Sequence, residues 1–115
     1  MSLDAATEAI ARLGYRPRQA QFLALVLRHS GVCLGRQYCA FAGIAYGQQM
    51  HDFFQALIVR RHATAYPCPD RRGRLFHLHA KRLYRAISEP NHAHRRRGSL
   101  GRAVERLMVL DAVLQ

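Results

Sequence analysis
The chain has 115 residues, half of them hydrophobic, and carries a formal net charge of +11 at pH 7. That length sets a single domain with a modest core, the apolar content argues against disorder, and no apolar run reaches the ~20 residues that cross a bilayer. So positive a charge points to polyanionic partners, and every basic residue but Lys81 is arginine, the side chain suited to bidentate phosphate and guanine contacts.

Asp4 and Glu8 interrupt the N-terminus, so no secretion signal is read there and a cytoplasmic location is expected. Cys33, Cys39 and Cys68 are odd in number and lack a CxxC pair, which argues against a disulfide framework.

In chain order, Leu3 to Leu13 reads as a helix capped by Asp4 and ended by Gly14. The next helix opens at Pro17, where the missing N–H costs nothing, and stops at Ser30-Gly31. Its residues Ala20, Phe22, Leu23, Leu25, Val26 and Leu27 are apolar on most sides and belong in the core. Val32-Cys33-Leu34 is a minimal strand. A two-turn helix from Gly35 to Ala42 follows, then a turn bracketed by Gly43 and Gly47. From Gln48 to Arg60, apolar residues at 50, 53, 54, 57 and 58 keep helical spacing. A hairpin comes next, with strands at His62–Tyr66 and Leu75–His79 and the tip Pro69-Asp70-Arg71-Arg72-Gly73-Arg74. A short helix spans 80–87, a basic linker 88–98, and Ser99 caps a last helix over 99–114. This order predicts an α+β, mainly helical fold: a winged helix-turn-helix with a small antiparallel hairpin wing and an extra C-terminal helix. One domain covers 1–115, its core about 15–87. The abrupt stop at Leu114-Gln115 reads as a module cut from a longer protein.

A helix presenting glutamines, followed directly by a cationic hairpin, is suited to duplex DNA. The helix fits a major groove, and the hairpin lies on phosphates or in the adjacent minor groove. Gln48, Gln49, His51, Asp52 and Gln55 fall off the apolar stripe and are the candidate base or phosphate contacts; Asp52, out of place among phosphates, is expected to accept from a cytosine amino group or from Arg36. Arg71, Arg72 and Arg74 repel one another unless an anion satisfies them, so they are assigned to phosphate. Arg16 and Arg18 flank Pro17 at a helix start, where free N–H groups also attract phosphate. Arg36 and Gln37 begin the first helix of the pair, a usual place for backbone contacts. Arg60 and Arg61 are read instead as complements to a helix dipole.

His77 and His79 alternate on one strand with His62 opposite, yet nothing has the spacing of a zinc site, so neither a metal nor another cofactor is expected. The seven carboxylates are scattered, and no GxSxG, HExxH or P-loop pattern occurs, so catalysis is not expected.

Several stretches taken together carry a resemblance: Arg18-Gln19-Ala20-Gln21-Phe22-Leu23, His29-Ser30-Gly31, Arg36-Gln37-Tyr38, and Phe54-Gln55-Ala56-Leu57 leading into His62-Ala63. His77-Leu78, Lys81-Arg82-Leu83-Tyr84-Arg85-Ala86-Ile87 and Arg106-Leu107-Met108-Val109-Leu110-Asp111 continue it. From Tyr15 to Leu114 the chain resembles the replication-relaxation family of bacterial plasmid and mobile-element proteins. The resemblance implies an N-terminal DNA-binding module of a larger protein with a role in plasmid or element maintenance, and it carries over no catalytic residue; as a duplex binder the chain is expected to be a regulator or replication accessory. The other functional class is a protein-interaction module, with the apolar stripe of the last helix pairing two copies as a homodimer.

Overall fold
A computed structural model describes residues 1–69 and 72–115, apart from the side chain of Ser99. Its elements are α1 (Leu3–Ala11), α2 (Pro17–His29), β1 (Val32–Leu34), α3 (Gly35–Ala42), α4 (Gln48–Val59), β2 (Ala63–Pro67), β3 (Arg74–Leu78), α5 (Lys81–Ala86) and α6 (Ala103–Leu114), with two 3-10 turns at Ala93–Arg95 and Arg97–Arg102. The chain is therefore α+β and mainly helical, with a three-stranded antiparallel sheet in the order β1-β3-β2. No helix is long and apolar enough to cross a membrane.

Local chemistry sets the boundaries. At α1 the cap is Ser2, whose Oγ accepts from Ala5 N at 3.1 Å; Asp4, expected in that role, lies inside the first turn, where its charge suits the positive helix end. Gln19 and Gln37 each fold back, their Oε1 accepting from Arg16 N and Leu34 N at 3.0 and 2.8 Å, and so fix the starts of α2 and α3. Gly43 closes α3 at φ +70°, a left-handed conformation that glycine adopts without cost.

The sheet divides the apolar residues into two layers. On one face Cys33, Phe76, Leu78 and Ala63 join the helical core of Ile10, Phe22, Leu27, Tyr38, Phe53, Phe54, Leu57 and Tyr84. The Phe54 and Phe76 rings stack 4.1 Å apart and fasten α4 to β3, while Tyr38 lies 4.3 Å from Phe53 and ties α3 to α4. On the other face Val32, Leu34 and Leu75 meet Ala103 and Leu107 of α6. Sandwiched this way, β3 is buried at four successive positions and lacks the alternation of a half-exposed strand.

Two expectations change here. The apolar stripe of the last helix, read as a homodimer face, is largely engaged within the chain: Ala103, Leu107 and Leu110 are buried, leaving Met108 and Val109 exposed. The basic linker 88–98 carries a 3-10 turn at Ala93–Arg95 and the start of a second at Arg97, is tied to His77 of β3 and to His79 just after it, and gives way to α6 at Ala103 rather than at Ser99. Arginines and histidines at these positions show no apolar period, so their anchoring through polar atoms leaves no sequence signature.

Candidate nucleic-acid interface
Helix α4 buries Met50, Phe53, Phe54 and Leu57 and turns Gln48, Gln49, His51, Asp52 and Gln55 to solvent. The ridge so formed has a cleft on each side. One, of about 390 Å³, lies between α4 and the start of α2 and is lined by Arg16, Gln19, Gln49, Asp52, Phe53 and Arg60 among others. The other, of about 200 Å³, lies between α4 and the hairpin and is lined by Gln48, His51, Asp52, Gln55, Arg74 and Phe76 among others. Each cleft thus has α4 as one wall and arginine on the other.

The Arg74 guanidinium rests 5.6 Å from the Phe76 ring centre, and among the described residues no carboxylate pairs with Arg72 or Arg74. Arg72 and Arg74 also border a groove with Arg36 and the exposed Tyr46. Tyr46 escapes a reading by apolar period because it sits in the α3–α4 turn; the small residues around it, Ala45 and Gly47, are the available signal. Asp70 and Arg71, assigned to the tip, lie outside the described residues. Asp52 accepts from Gln48 Nε2 at 2.7 Å, a pairing across one helical turn that partly masks its charge.

Three further candidates, Gln37, Arg36 and Arg18, are engaged in contacts within the fold. Gln37, expected on the DNA face, is 2% exposed; its Nε2 donates to Leu107 O at 3.0 Å and to Asp111 Oδ1 at 2.8 Å, so it joins α3 to α6 and is removed from the contact set. Arg36, offered as a partner for Asp52, instead makes a fork onto Asp111, with both nitrogen–oxygen distances 3.2 Å. Arg18 lies 3.8 Å above the Phe41 ring and donates to Phe41 O and to Gln21 Oε1, which fixes it against the end of α3. Arg60 donates to Leu13 O and lies over Tyr15 at 4.5 Å, closing the turn between α1 and α2 onto α4.

The histidines grouped by sequence are engaged separately. His62 shares a 2.6 Å hydrogen bond with the Tyr15 hydroxyl, His79 a 2.9 Å one with Thr64 Oγ1, and His77 Nε2 donates to His94 O. Among the described residues no group of three or more His, Cys, Asp or Glu converges as metal ligands do. Burial first, then the charges of Arg60, Arg82 and His79, push the His62 imidazole down to about 4 from 6.5. His62 therefore stays neutral in the fold, while the unfolded chain takes up a proton below 6.5. The stabilisation is whole above pH 6.5 and is lost as pH falls towards 4, on the order of 2–3 kcal/mol at about 1.36 kcal/mol per pKa unit. The urea midpoint should drop between pH 7 and 4.5, and His62→Gln should flatten that drop; an unchanged slope in the variant would show that other groups carry it.

No protein-family model, curated protein or solved structure matches this chain.

Proposed function
We propose that the chain binds double-stranded DNA as a winged helix-turn-helix, with α3 and α4 as the helix pair and the β2–β3 hairpin as the wing. Support for the fold comes from the order helix, strand, helix, helix, strand, strand, from the sheet order β1-β3-β2, and from the packing of the hairpin against α4 through Phe54 and Phe76. The observation that carries the function is the α4 ridge with an arginine-walled cleft along each side. A helix with its side chains is about 10–12 Å across and a B-DNA major groove about 12 Å wide, so α4 fills the groove. Arg16 then reaches one flanking phosphate strand, and Arg72 and Arg74 reach the other.

On this reading the phosphate contacts set position and the α4 side chains set sequence. Gln49 and Gln55 offer paired donor and acceptor groups to adenine N7 and N6, and His51 a further polar contact. No catalytic step is assigned. The biological setting, a regulator or replication accessory of a bacterial mobile element, rests on the family resemblance.

Selection of bound duplexes from a random library at two salt concentrations tests the reading. A family of related sites should emerge, with log affinity falling against log salt by about 0.9 per phosphate contact. A pool left without enrichment at low salt would sink the proposal.

A further inference from the structure
The segment 92–102 takes no part in the interface just described, although it is the most arginine-dense described stretch of the chain. Its inner edge is fastened at several points. His77 Nε2 donates to His94 O at 2.6 Å, Arg95 Nε donates to His79 O at 3.2 Å, and Arg95 Nη1 donates to Pro90 O at 2.8 Å. The His92 ring stacks 5.7 Å from Tyr84 and lies tilted 4.1 Å from His94. Gly31, at φ +74°, lets the segment close onto the end of α2, because a Cβ there would come within 2.6 Å of the His94 Cβ.

Arg96, Arg97 and Arg102 of this segment are all exposed and, among the described residues, paired with no carboxylate. Arg97 holds its guanidinium 5.9 Å over the Tyr66 ring. Tyr66 pairs with Leu75 across the hairpin, on the sheet face that packs against α6. Arg74 rests over Phe76 on the opposite face. The hairpin is therefore flanked on both faces by an arginine resting over an aromatic ring, a placement that restrains the side chain and leaves its charge available.

We infer that the segment 92–102 is a second cationic arm, which takes duplex phosphates on the side of the hairpin away from α4 through Arg96, Arg97 and Arg102. This rests on the duplex-binding reading above and extends its footprint. An arm already fastened to the sheet loses little freedom on binding, so its guanidiniums act at low entropic cost. Arg95, engaged by two backbone carbonyls, positions the arm and does not bind.

The test uses the full chain and the triple variant R96A/R97A/R102A, with a selected duplex and versions extended by about ten base pairs at either end, one helical turn. The wild type should gain affinity from one extension, its salt slope steepening by about 2–3 units as up to three phosphate contacts are added. The triple variant should match the wild type on the short duplex and gain nothing from either extension, with an unchanged urea midpoint. R96K/R97K/R102K should restore the gain. Equal gains in the wild type and the alanine variant would overturn the arm while leaving duplex binding by α4 intact. A wild type that retains no duplex at all would overturn both.

Discussion
Replacing Arg72 and Arg74 together by glutamate should weaken duplex binding about a hundredfold and flatten its salt dependence by about two units of slope. The magnitude follows from two charge-assisted hydrogen bonds at about 1.5 kcal/mol or more each, and 2.8 kcal/mol corresponds to a factor of a hundred. The slope follows from the release of about 0.9 counterion for each neutralised phosphate. Both residues are exposed, so the substitution should leave the urea midpoint nearly unchanged. Titration of a labelled duplex at several salt concentrations reads both quantities. Undiminished affinity would remove the hairpin from the interface and leave α4 to account for binding alone. Gln55→Ala offers a contrast, since it should relax discrimination at one base pair, by about 1–3 kcal/mol, with no change of slope.

Phe54→Ala should cost about 3–5 kcal/mol of stability, enough to unfold much of a domain whose total is about 5–15 kcal/mol. Phe54 is 2% exposed and touches three other aromatic rings: Phe76 stacked at 4.1 Å, Phe53 at 5.0 Å and Tyr38 edge-on at 6.0 Å. The Phe76 contact packs α4 onto β3, the central strand of the sheet, so Phe54→Leu is the more informative variant. It should fold, lose about 1–2 kcal/mol, and bind duplex more weakly than that loss explains, because the ridge and Arg74 are no longer held in register. Urea denaturation and duplex titration on the same samples separate the two effects. A cost below about 1 kcal/mol for the alanine variant would contradict the packing described.

The division of α4 into inward and outward faces was legible in the sequence because a helix buried on one side must repeat its apolar residues every three or four positions. The strand–tip–strand pattern was legible for a similar reason, with Gly73 and the prolines punctuating two short apolar runs. Gln37 was not. A glutamine three residues into a helix looks the same whether it faces DNA or turns back to cap, and what decides is Leu107, 70 positions further on. Arg36 misled in the same way, since its partner Asp111 belongs to a helix that no local pattern connects to α3. The stretch 88–98 was hidden for a different reason: its anchors are a ring nitrogen, a guanidinium and carbonyl oxygens, which no hydropathy pattern records.

The central strand β3 bonds to a neighbour along both edges and is covered by helices on both faces. Its amide protons are thereby shut away from solvent and should exchange with deuterium only when the whole domain opens, at a rate governed by global stability. The stem that ends at Arg74 then behaves as a stiff post, braced along both edges and both faces of β3.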